Sequence, residues 1–517
     1  MSDGSAPTIR VPGAMTSALA PEMLRTLTVE DLARFLQGRR WFAGKGRTVT
    51  SAALHDIVPL AWASYRAAAA RLEVESDDGS IAQYQLLLAA RAEGDVPRLH
   101  APLARIESDD GRGILFDATD DPQFRSLLGT TFAQGAVFAA SHACWSVEPL
   151  AGQDVGAVAD ADTRVIAGEQ SNTSIIYGDR AILKLFRRLE PGEHPDVEIG
   201  RFLTTHTTFR GTPPLLAVIT FEWGGATSVA GMVQRFAPGA VDAWDHALAA
   251  ARAYLRATGE TPVNTFVGDA ERLGRVTRAM HEALASDGES AAFAPERATG
   301  EDLECWATET REMMARALEL LASRVQANAL DPHATAAARA LLGRRTALDD
   351  RVTEMVSALG DDIGMRIRCH GDYHLGQVLR TPDGHFLIID FEGEPSRALS
   401  DRRAKRSPLR DVAGMLRSFA YAAAMSAREV AGQGVNPAVE IRSARWERDA
   451  RSAFLAGYLH AGKASSESPA LLPHTRDDTQ ALLALFETEK LFYELAYELN
   501  NRPEWVWVPL RGVAKLL

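Results

Sequence analysis

Acidic, amide and histidine side chains are concentrated in one stretch of the chain, residues 368–395, with the sequence RCHGDYHLGQVLRTPDGHFLIIDFEGEP. Asp372 is followed five positions later by Gln377, and Asp390 directly follows two isoleucines. A Pro-Asp-Gly turn at 382–384 separates two short apolar runs and predicts a β-hairpin. We therefore expect the polar residues at the ends of strands, where a rigid sheet directs them into a cleft.

The spacing of Asp372, Gln377 and Asp390 fits phosphoryl transfer. In protein kinases an Asp accepts the proton of the attacking hydroxyl, an Asn five positions later binds Mg²⁺, and a later Asp binds the metal as well. The amide of Gln377 offers the same ligand atom as an Asn, and amide and carboxylate oxygens suit Mg²⁺. A salt-bridged hairpin without catalytic function explains this three-part pattern less well. We therefore predict that Asp372 is the catalytic base and that Gln377 and Asp390 bind Mg²⁺.

Several side chains could bind the acceptor of the phosphoryl group. The helix expected over 479–500 carries aromatic and acidic residues at i, i+3 and i+4 spacing, together with Lys490, so that they share one face. Such a face suits a sugar, because aromatic rings stack on it and carboxylates accept hydrogen bonds from its hydroxyls. An amphipathic helix with internal Glu–Lys pairs explains the pattern equally well. The residues assigned to the acceptor are His370, His374, Glu392, Tyr493, Glu494, Tyr497 and Glu498.

A lone lysine, Lys184, lies inside the apolar stretch 181–186. Burying an unpaired lysine is costly, so this residue needs an anion, either an ATP phosphate or a carboxylate. Glu198, in the helix expected next along the chain, is the predicted partner, as in the strand-lysine and helix-glutamate pair of protein kinases. Glu190 and Glu193 lie nearby as alternatives, and a lysine that snorkels from an edge strand is the structural alternative.

A small polar loop, GEQSNTS at 168–174, precedes the lysine strand, and the backbone amides and hydroxyls of such a loop can bind phosphates. Further along, a Pro-Gly break at 238–239 stands where a two-lobed kinase has its hinge, so backbone groups just before it would bind adenine. The residues assigned to ATP are Lys184, Glu198, Ser171, Asn172, Thr173, Ser174, Gln234 and Phe236.

The composition is that of an ordinary globular protein, with 517 residues, 46% apolar and 24% charged. The net charge of −12 argues against nucleic acid or an anionic membrane as the main partner. The three cysteines are far apart, which indicates neither a disulfide framework nor a zinc site and fits the cytoplasm. No apolar run reaches the length of a membrane span, and residues 1–20 lack the pattern of a signal peptide.

The length predicts about three domains. A helix is expected over 20–38, where Thr28 and Asp31 form a capping signal, and short strands follow it. The strands are expected at 52–58, 71–74, 82–88 and 113–116, and alanine-rich helices at 242–258, 267–286, 300–324 and 331–359. We divide the chain into a flexible tail over 1–20, a cap domain over 21–110, a nucleotide-binding lobe over 111–238 and a helical lobe over 239–517.

Six segments together resemble the maltokinases. They are RWFAGKG at 40–46, EQSNTS at 169–174, LKLFRR at 183–188, HGDYHLGQ at 370–377, DFEGEP at 390–395 and SPLRDVAGM at 407–415. Maltokinases transfer a phosphoryl group from ATP to the anomeric position of maltose and supply maltose 1-phosphate to a trehalose-to-glycogen route. The resemblance spans nearly the whole chain. It implies an α+β, two-lobed, protein-kinase-like fold of the aminoglycoside phosphotransferase type, with an N-terminal α/β cap domain and a mainly helical C-lobe.

Carried over by position, the resemblance implies that Asp372 is the base, that Gln377 and Asp390 bind the metal and that Lys184 binds phosphate. It also implies ATP and Mg²⁺ as cofactors, maltose as acceptor, association with trehalose synthase and a monomeric or homodimeric state. Glucosamine kinases share the nucleotide motifs, so glucosamine or another monosaccharide is the alternative acceptor. A pseudokinase that only binds sugar or nucleotide is the non-enzymatic alternative, and the joint presence of these four residues argues against it.

Overall fold

The computed structural model describes residues 6–95, 102–155, 158, 161–166, 171–257, 262–394, 397–432, 436–461 and 470–516. The chain forms two compact units. The first contains Met1–Arg201 and Pro213–Pro238, and the second contains Phe202–Thr212 and Gly239–Leu517. Among the described residues, no helix is long and apolar enough to cross a membrane.

The first unit consists mainly of strands. They are β1 (Thr8–Arg10), β2 (Val49–Trp62), β3 (Tyr65–Ser76), β4 (Ile81–Ala92), β5 (Ala104–Ser108), β6 (Gly111–Asp117), β7 (Ala136–Ala139), β8 (Ala143–Pro149), β9 (Thr163–Val165), β10 (Asn172–Tyr177), β11 (Ala181–Phe186), β12 (Arg188–Leu189), β13 (Leu215–Trp223) and β14 (Ala226–Arg235). The helices are α1 (Pro21–Leu24), α2 (Val29–Gln37), α3 (Pro122–Gln134) and α4 (Pro195–Thr205), the last of which ends in the second unit.

Two sheets make up the first unit, with strand orders β1-β5-β6-β4-β3-β2, where β12 also pairs with β4, and β7-β8-β13-β14-β11-β10-β9. Successive side chains of a strand point to opposite faces, so β3 contributes to two cores. Ala67 lies in the core shared with the second sheet, whereas Ala68 lies in the core beneath α2. Leu183 and Leu185 of β11 also lie in the shared core, so Lys184 lies on the other face of its sheet. The strand that carries Lys184 therefore shares its core with the long N-terminal strands.

The capping signal at Thr28 and Asp31 is present, because each side chain accepts a hydrogen bond from the other residue's backbone amide. This cap starts α2, so the prediction of one helix over 20–38 is wrong and two helices occupy that range. The predicted loop over 168–174 is also partly wrong, because residues 172–174 belong to β10, where they pair with β11. The observed N-terminal strands are longer than those predicted, since β2, β3 and β4 extend as one meander.

The second unit is mainly helical. The helices are α5 (Ala243–Arg256), α6 (Val267–Leu284), α7 (Gly300–Gln326), α8 (Pro332–Leu342), α9 (Arg345–Ser357), α10 (Leu399–Arg403), α11 (Leu409–Ala431), α12 (Pro437–Ala461), α13 (Arg476–Asn501) and α14 (Trp507–Ala514). The strands are β15 (Val241–Asp242), β16 (Glu296–Arg297), β17 (Met365–Arg366), β18 (Val378–Arg380) and β19 (Phe386–Ile388).

The predicted hairpin is present as β18 and β19, which pair with each other, and β15 pairs with β18 on its other edge. The predicted helix over 331–359 is wrong, because it is divided at Gly343, a residue with low helix propensity, into α8 and α9. The long helix α11 is buried along most of its length and contacts α5, α12 and α13. It supports the loop and the short 3-10 turn that precede the hairpin, through hydrogen bonds that the backbone amides of that segment donate to Asp411 and Ser418.

Candidate active site

Hydrogen bonds to the start of α11 hold the loop that carries Asp372. The carboxylate of Asp411 accepts hydrogen bonds from the backbone amides of His370 (2.8 Å) and Gly371 (3.0 Å), and His281 Nε2 lies 3.0 Å from it. Burial opposes the charged form of Asp411, but the bonded His281 outweighs this effect and lowers the pKa of the carboxyl. A Cβ at Gly414 would lie 2.5 Å from the carbonyl oxygen of the residue after Asp372, so only glycine allows α11 to approach the loop so closely.

His370 serves the scaffold, which corrects its assignment to the acceptor. Its side chain is almost fully buried, and its Nε2 lies 2.9 Å from the carbonyl oxygen of Ile389. Because Nε2 donates to that carbonyl, Nδ1 is the acceptor for the backbone amide of Asp372 at 3.4 Å. The ring therefore connects the catalytic loop to the end of β19 and is not directed at a ligand.

Gln377 and Asp390 are brought together through their backbones. Gln377 ends the short 3-10 turn Leu375–Gln377, and its carbonyl accepts a hydrogen bond from the amide of Ile389 at 3.0 Å. Asp390 has a φ of 69°, a left-handed conformation that is costly for a residue other than glycine and is often found at functional sites. The described residues contain no group of three or more His, Cys, Asp or Glu side chains that could hold a metal. One carboxylate and one amide fit Mg²⁺, which usually takes its other ligands from phosphates and water.

A lysine contacts the predicted base. Lys490 Nζ lies 3.3 Å from Asp372 Oδ1 and 3.1 Å from Glu394 Oε1. Burial opposes the charge of Lys490, but the two carboxylates outweigh this effect and raise its pKa above the usual value. His374 Nε2 is 3.9 Å from the other oxygen, Asp372 Oδ2. The sequence places Lys490 on the same helical face as the tyrosines and glutamates assigned to the acceptor. Its contact with Asp372 joins residues 118 positions apart, so sequence spacing could not predict it.

A cavity of about 970 Å³ adjoins Asp372 in the second unit. Tyr493 and Tyr497 of α13 line it with nearly parallel rings, whose centroids are 6.3 Å apart and whose planes differ by 21°. Trp244 and Trp505 also line this cavity, although the sequence analysis did not assign them to the acceptor. Aromatic faces and a volume of this size suit a small organic ligand such as a sugar.

Two of the three glutamates predicted to bind sugar, Glu494 and Glu498, also line the cavity, and both are paired with arginines. Arg417 Nε and Nη2 lie 3.0 and 2.9 Å from Glu494 Oε2. Arg502 donates to both oxygens of Glu498, and the Tyr421 hydroxyl donates to the same carboxylate at 3.1 Å. Sequence reasoning missed Arg417 and Tyr421, because they lie on α11 and reach α13 only in the folded chain.

The residues assigned to ATP lie in the first unit, where Lys184 Nζ contacts Asp196 Oδ2 at 3.2 Å. Asp196 is buried at the start of α4, two residues before the predicted partner Glu198, and sequence reasoning missed it as a partner. Ser174 lies directly opposite Lys184 in the β10–β11 pair. The contact with Asp196 places Lys184 beside an acidic side chain of α4, and the pairing of Lys184 with Glu198 stays a prediction.

Three other residues assigned to ATP form hydrogen bonds or strand pairs within the first unit. Thr173 is almost fully buried, and its hydroxyl accepts a hydrogen bond from Arg187 Nε at 2.8 Å, so it faces the core instead of a ligand. The amide of Phe236 donates to the carbonyl of Arg180 at 2.9 Å, so this one backbone group is already hydrogen-bonded within the first unit. Gln234 pairs with β11 and β13 within the sheet. Residues 168–170 of the predicted phosphate loop and residue 395 of the 390–395 motif lie outside the described residues.

Comparison with known proteins shows which sugar kinases this chain is similar to. Residues 35–121 match the model of the maltokinase N-terminal cap domain. A glucosamine kinase of Streptacidiphilus jiangxiensis is 26% identical over 82% of this chain and 86% of its own length. A glucosamine kinase of Mycolicibacterium smegmatis is 28% identical over 68% of this chain and 79% of its own length. The chain is a relative of maltokinases and glucosamine kinases.

Solved structures agree with this relationship. A structure of a glucosamine kinase in complex with glucosamine, ADP and inorganic phosphate covers 96% of this chain and 99% of its own, with a TM-score of 0.65 and 22% identity. A second glucosamine kinase structure, crystal form B, has a TM-score of 0.63 at 22% identity and covers 91% of this chain and 94% of its own. At this identity the likeness shows the fold. It confirms a kinase-like fold of mixed helix and sheet that carries an N-terminal cap domain.

The predicted enzyme class, an ATP-dependent sugar kinase, is confirmed by these relatives. Several finer expectations stay predictions, among them the bounds of the four segments, the roles of the site residues other than His370 and the association with trehalose synthase. The oligomeric state and the cytoplasmic location likewise stay predictions. The acceptor sugar is the point on which the maltokinase and glucosamine kinase relatives differ.

Proposed function

We propose that this protein phosphorylates maltose with ATP and Mg²⁺ to give maltose 1-phosphate, in α-glucan metabolism linked to trehalose and glycogen. The observation that carries the proposal is the cavity beside Asp372, which combines two tyrosine rings with carboxylates that are already matched by arginines. Paired carboxylates accept hydrogen bonds from neutral hydroxyls without demanding a cationic ligand. Two adjacent rings also offer stacking surface for more than one sugar ring.

In the proposed reaction Asp372 orients the anomeric hydroxyl and accepts its proton. Lys490 contacts Oδ1 and keeps the carboxylate in one orientation, so Oδ2 is the oxygen that takes the proton. Lys184, held by Asp196, binds a phosphate of ATP. Gln377 and Asp390 would hold Mg²⁺, which supplies charge neutralisation at the phosphates.

Glucosamine is the second candidate acceptor, because the relatives matched over most of the chain are glucosamine kinases. An amino sugar carries a cation, which a buried site must pair with a carboxylate. Among the described residues that line the cavity, Asp242 is the carboxylate for which no ion pair is found, and its Oδ1 accepts a hydrogen bond from the Trp244 amide at 2.7 Å. Burial raises the pKa of Asp242, so this carboxyl gains from a cationic ligand. Asp242 is therefore the residue on which glucosamine binding would depend.

The test compares ATP consumption by the purified protein with maltose, glucosamine and glucose under the same conditions. We expect the highest kcat/KM with maltose, and we expect Asp242→Asn to leave that value within about twofold, because the maltose proposal assigns no charge to this residue. Higher kcat/KM with glucosamine, together with a loss of about tenfold in Asp242→Asn as one charged hydrogen bond is removed, would establish the second candidate instead.

A further inference from the structure

A buried arginine connects the segment that matches the cap-domain model, residues 35–121 and called the cap from here on, to the strands that carry the proposed phosphate-binding lysine. Arg187 directly follows β11, and its side chain is 1% exposed. Its Nη2 lies 2.9 Å from Asp117 Oδ2 and donates to Thr119 Oγ1 at 3.0 Å, while its Nε donates to Thr173 Oγ1 at 2.8 Å. One guanidinium thus connects the end of β6 with β10, and its fixed planar geometry sets the distance between them.

The partners on the cap side belong to the segment matched by the maltokinase cap-domain model. Asp117 and Thr119 lie within it, as does Trp41, whose ring centre is 5.0 Å from the Arg187 guanidinium. Trp41 belongs to the motif at 40–46, to which the proposed reaction assigns no role. Burial opposes the charge of Asp117, but Arg187 and Arg39 outweigh it and lower the pKa of this carboxyl. The cap therefore supplies a fixed negative charge and an aromatic face to Arg187.

Thr173, the partner of Arg187 on β10, lies next to the residue pair that contains Lys184. Thr173 is opposite Leu185 in the β10–β11 pair, and the neighbouring pair is Ser174 with Lys184. The backbone around Arg187 is also joined to the cap, because its carbonyl accepts from the Gln85 amide at 2.8 Å and β12 pairs with β4. A displacement of Thr173 or Arg187 would therefore shift Lys184 by way of the same two strands.

We propose that Arg187 is a positioning residue through which the cap holds β10 and β11, and with them Lys184, in the geometry that binds ATP. The inference rests on the proposed function, since it requires Lys184 to bind nucleotide. It gives the cap a specific task, namely that its contacts determine the affinity for ATP and leave the affinity for sugar unchanged. Sugar binding is assigned to the second unit, which contains none of these residues.

The test is a comparison of KM for ATP with KM for sugar in Thr173→Val and Asp117→Asn. Thr173→Val keeps the β-branched shape and removes the acceptor for Arg187 Nε. We expect KM for ATP to rise about fivefold in this variant, as for the loss of one hydrogen bond, with KM for sugar within about twofold. Asp117→Asn should raise KM for ATP further, and Arg187→Lys should raise it as well, because a lysine cannot contact both threonines and the carboxylate at once.

Thr220→Val is the matched control, because Thr220 lies in the same sheet, and its hydroxyl pairs with that of Ser146 at 2.8 Å without contacting β11. Equal changes in both KM values, or an unchanged KM for ATP in a folded Thr173→Val, would overturn the inference. Stabilisation of the protein by ATP in a thermal melt gives a second measure of nucleotide binding. Absence of turnover by the wild-type protein with every sugar would instead refute the proposed function. In that case, a rise in melting temperature on adding ATP that is smaller for Thr173→Val than for Thr220→Val would still support the positioning role of Arg187.

Discussion

Replacing Lys490 with methionine tests how the base is held. The substitution keeps most of the side-chain volume and removes the charge that lies 3.3 Å from Asp372 Oδ1 and 3.1 Å from Glu394 Oε1. At 3.3 Å and an effective dielectric constant of about 20, the Coulomb attraction to Asp372 is about 5 kcal/mol. Desolvation offsets most of this energy, and hydrogen bonds to charged groups contribute a net of about 1.5–3 kcal/mol.

That net value corresponds to a loss of about ten- to hundredfold in kcat/KM, provided that the contact orients Asp372 in the transition state. The assay is sugar-dependent ATP consumption at saturating ATP. Glu394 keeps its contact with Arg397 at 2.7 Å, which limits the damage to the fold. Lys405→Met is a matched control, because Lys405 forms a comparable pair with Glu296 at 2.6 Å elsewhere in the second unit and should lose no activity. A kcat/KM for Lys490→Met within about twofold of wild type would refute the proposed role of the lysine.

Two further predictions follow from the same site. Tyr497→Ala should raise KM for the sugar by about three- to tenfold through lost stacking, with KM for ATP unchanged, and equal changes in both KM values would contradict the assignment of α13 to the acceptor. Asp411→Asn should destabilise the protein by about 1–3 kcal/mol, because an amide cannot accept from both backbone amides and His281 as the carboxylate does. The folded pKa of Asp411 lies below its ordinary 3.8, so this stabilisation is present above pH 3.8 and is lost as the pH falls through the lower folded value. Melting temperatures should therefore differ most near neutral pH and converge under acid, and a constant difference would be the contrary result.

Local features of the fold could be predicted because short-range hydrogen bonds determine them. The capping box of Thr28 and Asp31 and the hairpin of β18 and β19 both follow from residues a few positions apart. The helices over 20–38 and 331–359 were predicted too long, because the apolar spacing continues across breaks that caps and a glycine impose. Periodicity indicates where a helix can form, and the termination signals decide where it ends.

Contacts between distant segments could not be predicted from spacing. The positions of Asp372, Gln377 and Asp390 relative to the hairpin follow from the sequence, but the cation beside Asp372 comes from a helix more than a hundred residues later. The same limit applies to Arg417 beside Glu494 and to Asp196 beside Lys184. Thr173 was predicted to bind a phosphate because its hydroxyl lies in a polar stretch. In the structure Thr173 belongs to β10, and its side chain points toward the core, where it contacts Arg187.

The most direct test of the central claim is sugar-dependent ATP consumption by wild type and Asp372→Asn, measured with maltose and glucosamine. Asn keeps the size of the side chain and cannot accept the hydroxyl proton, so the account predicts a fall in kcat of at least about a hundredfold. Stabilisation by ATP and by sugar in thermal melts should remain close to that of wild type. Turnover by Asp372→Asn within a few-fold of wild type would contradict the claim that Asp372 is the catalytic base.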